Sequence, residues 1–412
     1  MRRKTLNILK LMFTVFGPGI VVMLADTDAG SIITGAQSGV VWGYKLILLQ
    51  LILIPVLFIT QELTVRLGVT TGLGHGELIQ KHFGKFWACF SVSTLMICCF
   101  GAIITQFAGL ASVGALFGIP CRLSLSVIIA FLLIIVLTGT YRSVERCAIA
   151  IGLFELVFVG VMFATHPSCK DIINCLFNLP ITNSSYLYLA AANIGAVIMP
   201  WMIFYQQSAI VDKGLKPEYI KPARWDTAIG AVITQTIMIA VIITTASTIG
   251  RAHPGKSLQT VHQISDALIP FLGATWGRIL FALGMIGASL VATIVVSLTA
   301  AWGLGEVTGY KHSLEHKPKE APWFYGIYIA IIIFGGIIVV SGINLVNLSV
   351  AIEVLNAVLL PIVLGFLYLL AVKVLPEKYR LKGFYAVIVG IILAITSLFG
   401  CIAGIWGWFA AF

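Results

Sequence analysis

Residues 21–35 read VVMLADTDAGSIITG, placing two carboxylates, Asp26 and Asp28, beside Thr27 and Ser31 inside an otherwise apolar run. A carboxylate at mid-bilayer depth costs about 2.5 to 3.5 kcal/mol on insertion scales, so it usually faces a partner or a pathway. A second stretch, NIGAVIMPWMIFYQQSA at residues 193–209, carries Pro200. Proline has no backbone donor and clashes with the carbonyl four residues back, which frees the oxygen of Ala196. The two stretches together offer an anionic oxygen on Asp28, a hydroxyl on Ser31, a carbonyl on Ala196 and a thioether on Met199. That set suits a small cation. An amino-acid pocket would instead want free backbone donors for a carboxylate, which Asp28 would repel.

Both stretches need helices that break at mid-membrane. The first apolar run, about 9–37, is too long for a straight crossing of a core about 30 Å thick. Thr27 to Ser31 supplies the break, because glycine lowers helix propensity and Ser, Thr and Asp compete for backbone hydrogen bonds. Unwound backbone at that depth is tolerated only in a protein interior or along a watery cavity. The Pro200 break falls in the sixth apolar run. Two five-helix repeats of inverted topology, each opening with a discontinuous helix, place a site between the breaks.

Composition fixes the class. Of 412 residues, 59% are hydrophobic and 10% charged, and the mean hydropathy is +1.03, against about 25% charged in an ordinary soluble domain. Apolar runs predict spans at 9–37, 42–65, 87–117, 122–140, 145–165, 186–211, 225–249, 275–305, 323–341, 346–372 and 383–409, eleven helices in all. The chain therefore reads as one all-α transmembrane unit over 1–412, with repeat one at about 9–165, repeat two at about 186–372 and an extra helix at about 383–409. Arg2, Arg3 and Lys4 precede the first run, but its two aspartates and the absence of a small-residue cleavage site favour a retained span over a leader. The net charge of +10 does not point to nucleic acid. Most of it gathers on one side, at the N-terminus, Lys81, Lys85, Arg142, Arg146, Lys213, Lys216, Lys221, Arg224, Lys317 and Lys378, which puts the N-terminus in the cytoplasm and the C-terminus outside.

The motifs resemble the NRAMP family of divalent-metal transporters. That family's first helix carries G-P-G and then D-P-G-N, and its sixth carries A-x-x-M-P-H. Here the first reads Gly17-Pro18-Gly19 and Asp28-Ala29-Gly30-Ser31, the sixth Ala196-Val-Ile-Met199-Pro200-Trp201, and QELTVRLGVTTG at residues 61–72 matches the stretch after the second helix. The resemblance implies a LeuT-like inverted repeat of 5+5 helices plus one. It also implies a metal site made by Asp28, Ser31, Ala196 and Met199, with Asn356 of the tenth span near a polar ligand position. Ser31 replaces Asn and Ala29 replaces Pro, widening the pocket. Trp201 and Gln206 stand where the family has histidines, and Gln106 and Gly109 where its third helix has acids. Histidines and acids relay protons, so their loss predicts transport without proton coupling. The combination is similar to the NRAMP-related magnesium transporter branch.

Magnesium gives up water reluctantly, so a roomy site with few direct ligands suits it, while the Met199 thioether admits Mn²⁺. The expected function is thus alternating-access transport of Mg²⁺ and Mn²⁺, with the ion partly hydrated between the broken helices. A proton-coupled Mn²⁺/Fe²⁺ carrier, a sodium-coupled amino-acid carrier and a divalent-cation channel are the competing readings. No catalytic residues and no resident cofactor are implied, and no nucleophile-and-base pair or phosphate-cradling loop argues for an enzyme. The partners expected are the ion and the bilayer of a prokaryotic plasma membrane, and a monomer suffices. Asp26 is expected to hydrogen-bond a neighbouring helix, Glu155 and Glu353 to sit at helix contacts, and His75, His82, His253, His262, His312 and His316 to be solvated. Cys169 and Cys175 fall in one loop, where they could pair.

Overall fold

The computed structural model describes residues 17–266, 268–341 and 345–411. The predicted beginning of the first span, 9–16, and the basic residues before it lie outside the described residues. Among those described, ten helical stretches are long and apolar enough to cross a membrane. The first of them, Ala29–Thr71, is interrupted at Gly43 with φ 61°, and it counts as parts of two crossings. Eleven spans result.

The first span consists of α1 (Pro18–Asp26) and α2 (Ala29–Trp42). Spans two to five are α3 (Ile47–Thr71), α5 (Lys85–Leu116), α6 (Cys121–Thr138) and the pair α7 (Tyr141–Gly152) and α8 (Val157–Ala164), with the short α4 (His75–Phe83) between α3 and α5. After α9 (Cys169–Cys175), the second set opens with α10 (Ser184–Val197) and α11 (Pro200–Asp212). It continues as α12 (Ile220–Thr245), α15 (Ala274–Thr308), α16 (Pro322–Val340) and α17 (Leu345–Lys373), with α13 (Val261–Asp266) and α14 (Ile269–Leu272) before α15. The extra span is α18 (Gly383–Ala411). The predicted boundaries hold within a few residues except around span two. There α2 runs on to Trp42 and α3 starts at Ile47 rather than 42.

Each set of five thus opens with a broken helix, and the breaks have local causes. Asp28 caps α2, its Oδ1 accepting from the Ser31 amide at 2.7 Å, which satisfies one of the donors a helix start leaves unpaired. Met199 lies at φ −93°, ψ 140°, the extended conformation that a following proline imposes. Pro200 then begins α11, where its missing donor is not needed.

Both α2 and α3 pack on α12, which also lines α1, while α5 packs along α15 and α10 against α17 and α18. Gly195 permits the α10–α17 approach, since a Cβ there would collide with the Glu353 carbonyl. Apolar side chains face outward on the peripheral spans, for example Phe384, Ile395, Ile402 and Trp406 on α18, as lipid contact requires. Polar and charged side chains of the first and sixth spans turn inward and are buried. Cys169 and Cys175 are both free, one at each end of α9.

Candidate metal site between the two helix breaks

Asp28 is fully buried, and its two carboxylate oxygens are held from different helices. Oδ1 accepts from the Ser31 amide, and Oδ2 accepts from Gln106 Nε2 of α5 at 2.7 Å. The same Gln106 takes the Ala29 amide on its Oε1 at 2.9 Å, so one side chain clamps both the cap and the first residue of α2. Ser31 Oγ donates to the Ala196 carbonyl at 3.0 Å. That is the oxygen Pro200 was expected to free. Met199 caps α11 three residues on and is fully buried.

Asn356 sits one turn from Glu353 on α17, and its Nδ2 donates to Glu353 Oε2 at 3.0 Å. Glu353 lies against Gly30, where a Cβ would collide with its Oε1. Its Oε1 and Asn356 Oδ1 have no hydrogen-bond partner among the described residues. Glu353 is therefore part of the polar pocket between α2 and α17, and not merely a helix contact as its sequence position suggested. The structure brings Asp28, Ser31 and Ala196 into direct contact and Asn356 beside them through Glu353.

Gln106 and Glu353 are the residues that sequence reasoning missed. In the sequence Gln106 reads as a lost acid. Its signal, weak in one sequence, was an amide able both to donate to a carboxylate and to accept from an unwound backbone. Glu353 could have been paired with Asn356 by their three-residue spacing on one helix.

Other assignments also change or hold. Asp26 Oδ2 accepts from Thr234 Oγ1 of α12 at 3.2 Å, as expected of a hydrogen bond to a neighbouring helix. His75 is not solvated: it is fully buried at the start of α4, with Nδ1 3.1 Å from Gln207 Oε1. Gln206, at a family histidine position, donates from Nε2 to Thr227 at 2.8 Å. Trp201, at the other, is fully buried.

The pocket is shut on both sides. At the start of α1, the Gly17 and Gly19 amides donate to Asp226 Oδ2 at 3.2 and 2.7 Å, and Lys213 bridges both Glu145 oxygens at 2.8 and 3.0 Å. On the far side, Asn193 Nδ2 donates to Ser38 at 2.8 Å, and Gln37 Oε1 accepts from the Leu258 amide at 2.8 Å. A cavity of about 690 Å³ near Arg251, His253 and Lys256 shares no lining residue with this pocket. Among the described residues no three His, Cys, Asp or Glu side chains group as a metal cluster. What the structure brings together between the breaks is the clamped Asp28 carboxylate, the Ser31 hydroxyl and the Ala196 carbonyl, with the Glu353 carboxylate and Asn356 beside Gly30.

Comparison with known proteins agrees with this architecture. The chain is 25% identical over 305 residues to the divalent metal cation transporter MntH of Mesorhizobium japonicum, covering 70% of this chain and 66% of that protein. It is 26% identical over 306 residues to MntH of Staphylococcus aureus, covering 68% and 66%. The match thus spans just under two thirds of the length of these curated relatives. Among solved structures, the Eremococcus coleocola manganese transporter, in complex with an aromatic bis-isothiourea substituted compound, superposes with a TM-score of 0.74 at 18% identity, covering 95% of this chain and 86% of that one. MhsT in complex with L-phenylalanine gives 0.63 at 12% identity, covering 96% and 98%. Both likenesses concern the fold. The family model described as natural resistance-associated macrophage protein-like matches residues 19–405, and the chain belongs to the Nramp family.

Proposed function

We propose that the chain carries divalent metal ions across a membrane by alternating access, taking Mg²⁺ and Mn²⁺ without moving protons. The observation that carries the reading is the meeting of Asp28, Ser31 and the Ala196 carbonyl between the two helix breaks, and in this reading Asp28 supplies charge while Ser31, Ala196, Met199 and Asn356 supply neutral donors. The family membership and the relatives named for divalent-metal transport support the substrate class. Magnesium is favoured by Ser31, whose short side chain leaves space for retained water, and by the small number of direct ligands. The soft Met199 sulfur favours Mn²⁺. Gln106 takes up the family's acid position as a clamp on Asp28, and an amide cannot carry a proton.

The charge distribution supports a cytoplasmic N-terminus and an external C-terminus in a prokaryotic plasma membrane, and one copy makes the whole pocket. Closure on both sides favours a carrier over a channel, because a carrier must pass through a state with neither door open. The test is uptake of Mg²⁺, Mn²⁺ and Ca²⁺ into liposomes holding the purified chain and Asp28→Ala. Saturable Mg²⁺ and Mn²⁺ uptake that the variant abolishes is the expected result. Parental rates in Asp28→Ala would place the site elsewhere, and ohmic single-channel currents would replace the carrier by a channel.

A further inference from the structure

Two buried acids remain outside the metal pocket, on the face of the first break turned toward α12. Asp26 is the last residue of α1, 1% exposed. Glu155 is fully buried in the 3₁₀ turn Leu153–Leu156, which interrupts the fifth span between α7 and α8. Thr27 and Thr234 stand beside them. Thr234 Oγ1 lies 3.2 Å from Asp26 Oδ2 and 2.8 Å from Thr27 Oγ1. Since the single Thr234 hydroxyl proton goes to Asp26, Thr27 donates to Thr234. Thr27 also faces Glu155, and the charges acting on Glu155 are those of Asp26 and Asp28. Asp26 Oδ1 and both Glu155 oxygens have no hydrogen-bond partner among the described residues.

Three bare carboxylate oxygens in a protein interior require an explanation, because a buried charge persists only when paired or when it coordinates a cation. No Lys, Arg or His makes a salt bridge to either acid among the described residues. What fits is an ion that takes several oxygens at once.

We propose that Asp26, Thr27, Glu155 and Thr234 form a second cation site beside the first break, for an alkali-metal ion of the Na⁺ class. The donors are carboxylate and hydroxyl oxygens only, with no nitrogen or sulfur, which selects a hard ion. The valence follows from the neighbour. Asp28, two residues along, is assigned to a dication, and repulsion grows with the product of the charges, so a monovalent ion is tolerated where a second dication is not. Only this valence argument rests on the proposed transport function; the unpartnered oxygens do not.

Thermal unfolding of the purified full chain tests the site, with NaCl titrated against choline chloride at constant ionic strength. The expected result is a saturable rise in Tm with Na⁺ that Glu155→Gln and Asp26→Asn remove and Asp28→Ala retains. Mn²⁺ stabilisation should show the reverse pattern, lost in Asp28→Ala and kept in Glu155→Gln. Failure of the divalent reading and failure of this site therefore look different. A parent that gives no Na⁺-specific shift overturns the proposal. So does a Na⁺ shift that survives both acid variants, or one that Asp28→Ala abolishes. Should either acid variant fail to fold, Thr234→Val takes its place. It removes one neutral ligand, and an unchanged Na⁺ response in it counts against the site.

Discussion

Ser31 Oγ donates to the carbonyl oxygen of Ala196 at 3.0 Å, so a single hydrogen bond joins the breaks of the first and sixth spans. The Ala196 carbonyl is available because Pro200 denies it a helical partner, and Ser31 lies in the first turn of α2, which Asp28 caps. An ion that enters between the breaks meets both oxygens. Ser31→Ala should weaken Mn²⁺ binding about tenfold, the equivalent of about 1.4 kcal/mol and typical of a lost hydrogen bond or neutral ligand. Calorimetric titration of the purified variant checks this. Unchanged affinity would remove Ser31 from the ligand set.

Met199 tests which ion the pocket was built for. It is fully buried at the start of α11, and its sulfur can reward Mn²⁺ directly while offering little to Mg²⁺. Met199→Ala should therefore lower Mn²⁺ uptake more than Mg²⁺ uptake in proteoliposomes. Equal losses would mean that Met199 shapes the pocket without ligating.

Asp226 holds the start of α1 through the Gly17 and Gly19 amides at 3.2 and 2.7 Å. A carboxylate at a helix start gains from both the free donors and the helix dipole. Asp226→Asn keeps the size and removes the charge, which should free α1 by about 1–2 kcal/mol. Amide hydrogen exchange at the first turn of α1 should then speed up by about tenfold. Parental exchange rates would show that the Glu145–Lys213 bridge, at 2.8 Å, closes that end alone.

His75 gives a pH signature of folding. Burial pulls its imidazole down from 6.5 to about 4, against a smaller upward effect of Gln207. Between those values the unfolded chain holds a proton that the folded chain refuses, so folded stability falls as pH drops from about 6.5 toward 4. His75→Gln removes that contribution. The difference in Tm between parent and variant should accordingly shift against the parent as pH falls through this window, while staying constant above pH 7. A difference independent of pH would mean that His75 is not buried in its neutral form.

What a single sequence reveals here follows from the solvent. Lipid forces every span to hide its backbone in a helix of about 20 apolar residues, so α5, α15 or α17 could be bounded to within a few residues. The breaks were legible because proline and a buried acid act locally. The partner of Asp28 and the neighbour of Gly30 were not, because Gln106 and Glu353 come from α5 and α17, and their meeting with the first break depends on how distant helices pack. His75 escaped for the same reason: its partners Gln207 and Phe204 lie on α11, far along the chain from the turn that carries it.

The proposed transport without protons rests on particular positions. Such a carrier needs a titratable group near the ion whose proton is taken on one side and released on the other. At the positions the family resemblance points to, this chain has Trp201, Gln206, Gln106 and Gly109, and the two glutamines are tied into hydrogen bonds with Thr227 and Asp28. Asp28 must be ionised to hold a dication. Flux should then run down the metal gradient and the membrane potential, which is worth about 2.3 kcal/mol per charge per 100 mV. A pH-sensitive dye inside proteoliposomes should stay silent during Mg²⁺ or Mn²⁺ influx, while MntH of Staphylococcus aureus serves as comparison. Metal-dependent acidification would overturn the uncoupled reading, and its disappearance in Asp26→Asn, which leaves Asp28 and its Gln106 clamp in place, would make Asp26 the proton carrier.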